Sequence, residues 1–337
     1  MSVYVLPAVF VLALLLGLYF TPVAREAALR FGIVDRPDGN LKNQREPVPY
    51  LGGVAVFIAY LLALGVVVQF DTLLLGLLLA GTLTLLVGLI DDFGVLTPLA
   101  KLTGQGVAVF VLLRSGAVIE LVDVPPALRW PLAALWILAV CNAFNLLDVM
   151  DGLAGGVGAL IALALGVAAT IAGQVPEAAA AFALAGALGG FLVFNVHPAR
   201  IYLGDAGSLA VGITLGALAL AIPWSDRSPA GFLAPLVILA VPLADTAYVT
   251  VLRARAGKPF WHGSPDHFPL RLRRRLGGDV RRTVASCWGL TLLGGVAGVG
   301  SAALWSWQVA LWVLGVYSAC VVVLLLWLAT VRMDRPA

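Results

Sequence analysis

Asn142, Asn145, Asp148 and Asp151 recur at every third position of the stretch NAFNLLDVMD, inside a chain that is otherwise strongly apolar. Steps of three along a helix turn about 300°, so residues so spaced drift slowly around one side. Asn142, Asn145 and Asp148 therefore read as a polar stripe at one end of a helix, and Asp151-Gly152 as the place where the chain leaves it. An Asp at mid-helix in a bilayer costs roughly 2.5–3.5 kcal/mol on insertion scales, and intramembrane polar groups of this kind serve a site. The plainer alternative is a loop that begins early and solvates its carboxylates.

Four further clusters carry chemistry. In GLIDDFGVLTPLAKLTGQ (88–105), Asp91 and Asp92 close one apolar run and Lys101 opens the next. Neighbours on a helix point about 100° apart, so the two acids need not do one job. Carboxylates beside a Lys suit a divalent cation and a phosphate: Mg²⁺ takes one or two carboxylates plus phosphate oxygens, and Lys acts on phosphate as a point charge. A solvated loop with a salt bridge is the alternative. In FNVHPARIYLGDAGSLAVG (194–212), Asp205 precedes Gly207 and Ser208 at the start of another run. A small-residue turn feeding a helix N-terminus is an anion site, although Ser208 could be an N-cap alone.

DRPDGNLKNQREPVPYLGG (35–53) brings Lys42 and Arg45 ahead of a Pro/Gly-rich entry into an apolar run, with a plain positive-inside loop as the alternative for each basic residue. The last cluster, RARAGKPFWHGSPDHFPLRLRRRLGGDVRR (253–282), is the most basic. It suits anionic headgroups, at about 1 kcal/mol per basic residue near the surface, or a nucleotide diphosphate. His267, between Asp266 and Arg271, has the best context of the three histidines; His197 and His262 read as structural. Asp245, in VPLADTAYV, is another acid in an apolar run and needs a partner.

The elements that must position these groups follow from composition. Of 337 residues 61% are hydrophobic and 12% charged, against about a quarter charged in soluble domains. Apolar runs of about 18 residues or more recur along the chain, as in polytopic membrane proteins. They are continuous rather than alternating, which selects helices over a barrel. The fold class is all-α, with eleven spans near 3–21, 48–69, 73–90, 99–118, 129–145, 155–173, 178–194, 208–223, 231–252, 283–303 and 306–331. Residues 3–21 read as a first helix, not a removable signal.

With eleven spans, one set of loops carries every Lys and Arg except Arg114, Arg129 and Arg227, or 18 of 21. The positive-inside rule then puts the N-terminus outside and the C-terminus in the cytoplasm. All five clusters fall on that cytoplasmic side, in loops near 22–47, 91–101, 146–155, 195–207 and 253–282 of a single 337-residue domain. The cysteines (Cys141, Cys287 and Cys320) read as small buried hydrophobes, with no zinc spacing. Carboxylates for a cation, bases for phosphate and an apolar wall make phosphoryl-transfer machinery, in which catalysis is positioning plus charge neutralisation.

In this order, the clusters resemble the polyprenyl-phosphate N-acetylhexosamine-1-phosphate transferases, and within them the bacterial UDP-GlcNAc:undecaprenyl-phosphate GlcNAc-1-phosphate transferases. DDFGVLTPLAK, NAFNLLDVMDGLAG and NVHPARIYLGDAGSL carry the resemblance, which runs from about residue 34 to 276. It implies a bacterial inner-membrane enzyme with a cytoplasmic active site. A polyprenyl phosphate attacks a UDP-sugar, leaving lipid-diphosphate-sugar and releasing UMP, the first membrane step of envelope polysaccharide synthesis. Mg²⁺, or Mn²⁺ in its place, is the implied cofactor. The implied partners are a UDP-sugar, a polyprenyl phosphate and membrane lipid, without nucleic acid; a homodimer is compatible but not demanded.

By motif position, Asp205 and Asn145 resemble the metal contacts. Asp91 resembles the base or lipid-phosphate activator, and Asp92 its metal-side neighbour. Lys101 resembles a phosphate ligand, and Asp148 lines the nucleotide–metal site. The resemblance implies that Asp151 and Tyr202 would meet the uracil and that Lys42 lies near the nucleotide. Asn142 reads as substrate-binding, and the resemblance makes His267 catalytic and Arg271 substrate-binding; with Leu272 they are what remains of a His-x-His-His-Arg-Leu string, here HFPLRL, in a loop associated with sugar and diphosphate recognition. Gln44 stands where a His is common, and Val149 where a Gly is usual. These departures leave open another UDP-sugar or UDP-MurNAc-pentapeptide as donor. Of the other classes, a CDP-linked phosphatidyl-type transferase needs an Arg and further acids after Asp151-Gly152, which LAGGVGALIALALG lacks. A transporter scatters acids near mid-membrane and often shows inverted repeats. An inactive scaffold sheds residues such as Asp205 or Lys101, and both are present.

Overall fold

A computed structural model describes residues 3–35, 47–118, 125–226, 229–257, 264–303, 306–331 and 333. Each of the eleven expected segments contains helix. They are α1 (Val5–Phe31), α2 (Gly52–Val67), α3 (Thr72–Asp92), α4 (Pro98–Arg114), α5 (Pro126–Leu147), α6 (Leu153–Ile171), α7 (Val175–Asn195), α8 (Gly204–Ala221), a bent segment discussed below, α12 (Val280–Ala303) and α13 (Trp307–Ala329). Eight of these described helices are long and apolar enough to cross a membrane; α2, with 16 residues, and α4, with 17, are shorter. Large apolar side chains face outward on many of them, including Val66, Leu135, Val296, Trp312 and Leu326. A surface that greasy is lipid-facing rather than solvated, so the chain is an all-α polytopic membrane protein.

Local chemistry sets the helix ends. Asp71 Oδ1 accepts the Leu74 N–H at 2.8 Å and starts α3. Thr97 caps α4 ahead of Pro98, whose missing N–H is harmless in the first turn. Gly32 ends α1 in the left-handed conformation. Between helices, small residues allow backbone approach. A Cβ on Gly53 of α2 would lie 2.2 Å from the Gly207 Cα of α8, and one on Gly88 of α3 would lie 2.4 Å from the Asp205 carbonyl. These two crossings press α2 and α3 onto the first turn of α8, where the third polar cluster begins.

Several features differ from the sequence expectation. The ninth segment is broken: a 3-10 turn (Pro229–Leu233) leads into α9 (Ala234–Ile238), and α10 (Ala240–Arg255) departs at 70°. Pro242 in the first turn of α10 has no N–H for the carbonyl of Ile238 and crowds the preceding turn, which is how prolines bend helices. The basic loop also contains a short amphipathic helix, α11 (Phe268–Arg275), with Phe268 and Leu272 buried and Arg273–Arg275 turned out. A two-residue antiparallel ribbon, β1 (Val34–Asp35) with β2 (Val48–Pro49), closes the approach to α2.

Candidate active site

The C-terminal ends of α3 and α5 meet the N-terminal ends of α4 and α8 at one end of the bundle. Each end contributes at least one group to a tight polar cluster. Lys101 Nζ lies 2.7 Å from Asp91 Oδ2 and 2.7 Å from Asp205 Oδ2, and donates to Asn145 Oδ1 at 3.0 Å. Asn145 Nδ2 in turn donates to Asp205 Oδ1 and to Ser208 Oγ, both at 2.9 Å. Five residues from four helices, two of them more than 100 positions apart in the chain, thus close one network.

Asp92 faces elsewhere. Its Oδ1 accepts the Asp205 N–H at 2.8 Å and its Oδ2 the Ala206 N–H at 3.2 Å. Those are the second and third N–H groups of α8, whose own N-cap residue, Leu203, supplies no side-chain acceptor. Asp92 therefore caps α8 from α3, as an N-cap side chain would, and fixes the backbone that carries Asp205. Gly204 permits this with φ +74°; a Cβ there would meet Asp92 Oδ2 at 2.8 Å.

Asn142 pairs with Gln105 through both amides: Asn142 Nδ2 donates at 2.7 Å and Gln105 Nε2 returns a bond at 3.2 Å. This reciprocal pair holds α5 against α4 one turn behind the network. The stripe then bends away. Asp151 Oδ2 is 2.7 Å from His197 Nδ1 and accepts the Ala199 N–H at 3.1 Å. Gly152 N–H donates to Asn195 Oδ1 at 3.0 Å, Asn195 Nδ2 donates to the Ile201 carbonyl at 2.9 Å, and Trp288 Nε1 donates to the Gly152 carbonyl at 3.1 Å. The segment carrying Tyr202 is tied to β2 and α2, with Tyr202 N–H on the Pro49 carbonyl and Gly52 N–H on the Tyr202 carbonyl.

Asp148 and Tyr202 feel this concentration of acid. Burial, then the charges of Asp205, Asp92 and Asp151, push the Asp148 carboxyl up to about 7. Burial first, then Asp151, Asp35 and Asp148, raises the Tyr202 phenol to about 12, so it stays a hydrogen-bond donor at neutral pH. No described basic group offsets either shift.

The donor set fits a hard divalent ion. Asp91 and Asp205 carboxylates and the Asn145 amide oxygen converge on one point, all oxygen, with no thiolate or imidazole among them. Among the described residues no group of three or more His, Cys, Asp and Glu is placed to hold a metal ion, so an ion here would rest on the two carboxylates and the amide oxygen. Mg²⁺ is held in this way, by one or two carboxylates with water and phosphate completing the shell.

The structure brings together Asp91, Lys101, Asn145 and Asp205 directly, places Asp92 and Asn142 as braces behind them, and sets Asp148, Asp151 and Tyr202 alongside. Lys42 lies outside the described residues. His267 and Arg271 are joined to other partners. His267 Nδ1 is 2.6 Å from Asp245 Oδ2, and Asp245 Oδ1 accepts the Phe268 N–H at 2.8 Å, which answers the need of a fully buried Asp245 for a partner. Arg271 Nη2 donates to Asp266 Oδ1 at 2.6 Å, and its Nη1 reaches the carbonyls of Leu328, Ala329 and Val331 at 3.3, 3.4 and 2.7 Å. It pins the end of α13. The braces Gln105, Asn195 and His197 and the orienting hydroxyl of Ser208 were not assigned site roles from sequence. All four lie within or a turn from the motifs, and their roles depend on which amide or hydroxyl faces inward.

An oxygen-rich, lysine-bearing cluster thus lies at one end of an apolar helical bundle, as a polar site does in an integral membrane protein. The sequence model of glycosyl transferase family 4 matches residues 74–222, the stretch from α3 to α8 that builds the cluster. The chain belongs to that family. It is 30% identical over 275 residues to a probable undecaprenyl-phosphate N-acetylglucosaminyl 1-phosphate transferase of Bacillus subtilis, covering 78% of this chain and 76% of that one. It is 33% identical to the decaprenyl-phosphate N-acetylglucosaminephosphotransferase of Mycolicibacterium smegmatis, over 81% and 76% of the two chains. It is 35% identical to the phospho-N-acetylmuramoyl-pentapeptide-transferase of Heliobacterium modesticaldum, over 85% and 93%.

Proposed function

We propose that this protein transfers a sugar-1-phosphate, GlcNAc-1-phosphate in our reading, from a UDP-sugar to undecaprenyl phosphate, giving lipid-diphosphate-sugar and UMP. The observation that carries it is the convergence of Asp91, Asn145 and Asp205 on Lys101 at one end of a lipid-facing bundle. An acceptor whose head is phosphate and whose tail is hydrocarbon fits that junction. The similarity to transferases named for undecaprenyl and decaprenyl phosphate supports it.

Asp91, Asn145 and Asp205 would hold Mg²⁺, with Mn²⁺ as a substitute, and the ion would neutralise charge on the transferring phosphate. Lys101 adds a point charge for phosphate. Asp91 sits where it can orient the lipid phosphate. Asp92 keeps Asp205 in place through the α8 backbone. Asp151, held by His197 and the Ala199 N–H, and the protonated Tyr202 form the side toward the nucleotide base. In this reading all eleven helical segments cross the bacterial inner membrane, the N-terminus lies outside, and the site opens to the cytoplasm, where UDP-sugars are made.

The test is UMP release by purified protein from UDP-GlcNAc and undecaprenyl phosphate, with and without Mg²⁺, beside a panel of other UDP-sugars and an Asp205→Asn control. Release that needs lipid and Mg²⁺ and vanishes in the variant is expected. A folded protein that releases UMP from no UDP-sugar overturns the reading; release from a different sugar alone revises the donor.

A further inference from the structure

Lys101 has three N–H donors, and the three are matched by Asp91 Oδ2, Asp205 Oδ2 and Asn145 Oδ1 at 2.7, 2.7 and 3.0 Å. In this arrangement the ammonium has nothing left to offer a phosphate. It also stands at the point toward which the oxygens of the candidate metal site are aimed. That aim is built in. Asn145 Nδ2 is held by Asp205 Oδ1 and Ser208 Oγ, so Oδ1 must turn to the lysine. Asp205 is held in turn by the Asp92 cap on its own N–H. The lysine, by contrast, enters on a flexible stem from the first turn of α4, and its side chain keeps 17% of its surface exposed.

We propose that Lys101 is the resident cation of this site: it occupies the place of the divalent ion, and binding of that ion displaces it and so frees its ammonium for substrate phosphate. The proposal rests on the reading that Asp91, Asn145 and Asp205 take Mg²⁺. The charge balance favours the exchange. Two carboxylates facing one ammonium leave a net negative charge, whereas a divalent ion neutralises both and removes the attraction that holds Lys101. Mg²⁺ draws oxygens to about 2.0–2.1 Å, closer than an ammonium's hydrogen bonds reach, so the two cations cannot share the three oxygens. Lys101 then serves twice, ordering Asp91 and Asp205 when no ion is bound, and turning to the phosphate when one is.

The experiment uses the full-length protein in detergent with Mn²⁺ as probe, its binding followed by electron paramagnetic resonance for the wild type, Lys101→Met and Asp205→Asn. In parallel, reaction of Lys101 with an amine-directed reagent is followed by peptide mass spectrometry at increasing Mg²⁺. Lys101→Met is expected to bind Mn²⁺ at least tenfold more tightly than wild type while losing transfer, and wild-type Lys101 to become severalfold more reactive as Mg²⁺ saturates. If binding lost in Asp205→Asn is unchanged or weaker in Lys101→Met, the displacement idea falls and the metal reading stands. If Lys101→Met does not fold, unchanged labelling of wild-type Lys101 at saturating Mg²⁺ overturns the proposal by itself. If no variant shows Asp205-dependent Mn²⁺ binding, the metal reading falls and takes the proposal with it.

Discussion

Ser208 backs Asn145 from the side opposite Lys101. Its Oγ accepts from Asn145 Nδ2 at 2.9 Å, while its own hydroxyl is directed at the Asp205 carbonyl at 3.4 Å. Lysine has donors only, so the atom Asn145 presents to Lys101 is the amide oxygen, and Ser208 supports that choice from behind. Removing such an outer support typically costs about 10–100-fold in metal affinity or activity. Ser208→Ala is therefore expected to raise the Mg²⁺ concentration for half-maximal transfer by about tenfold, with Ser208→Thr close to wild type. A Mg²⁺ titration of UMP release checks this, and an unchanged Mg²⁺ requirement in Ser208→Ala would refute it.

Asp91 and Asp92 are adjacent but should fail in different ways. Asp91 meets Lys101, whereas Asp92 caps α8. Loss of a cap costs about 1–2 kcal/mol. Asp92→Ala should lower the thermal midpoint by several degrees, whereas Asp91→Asn should unfold near the wild-type temperature and yet lose transfer. Thermal unfolding and activity measured on both variants decide it; equal midpoints for the two would remove the assigned capping role.

How much of this was visible in sequence depends on the range of the interaction. Helices were legible because continuous apolar runs leave no other way to satisfy the backbone in lipid, and each expected segment holds helix. The cluster was legible because Asp91, Lys101, Asn145 and Asp205 are costly groups at the ends of those runs. What each one faces was not. The 100° between Asp91 and Asp92 predicts two roles without saying which residue takes which. The 70° break before α10 depends on a short proline-containing turn within an apolar run long enough to read as one span. Arg271 lies in a loop of many arginines, and nothing local says that its carbonyl partners lie 57 to 60 residues away.

That long-range contact makes Arg271 a stability determinant. Its guanidinium, nearly buried, joins Asp266, three carbonyls at the end of α13 and the face of Tyr248, 5.7 Å from the ring centroid. Hydrogen bonds to a charged group are worth about 1.5–3 kcal/mol. Arg271→Ala should lose about 2–3 kcal/mol of stability and shorten the active lifetime in detergent. Lysine keeps the charge but lacks the planar fork, so Arg271→Lys should recover only part. Inactivation rates of the three proteins test this. Wild-type stability with a raised KM for the UDP-sugar would instead place Arg271 at the substrate.

Asp148 makes stability depend on pH in a direction opposite to that of a salt-bridged acid. Its carboxyl is raised from the ordinary 3.8 to about 7 by burial and then by the charges of Asp205, Asp92 and Asp151. Between those two values the folded protein holds a proton that the unfolded chain has released, so stability falls as pH rises through that window and levels off above it. In chelator, the thermal midpoint should therefore drop between pH 5 and pH 8, while Asp148→Asn, which cannot ionise, should be flatter over the same range. Added Mg²⁺ should restore the wild type most strongly at the alkaline end, where the carboxylate is charged and the cation relieves the repulsion. A wild-type midpoint that climbs with pH in chelator would show that Asp148 is already ionised and paired with a cationic group.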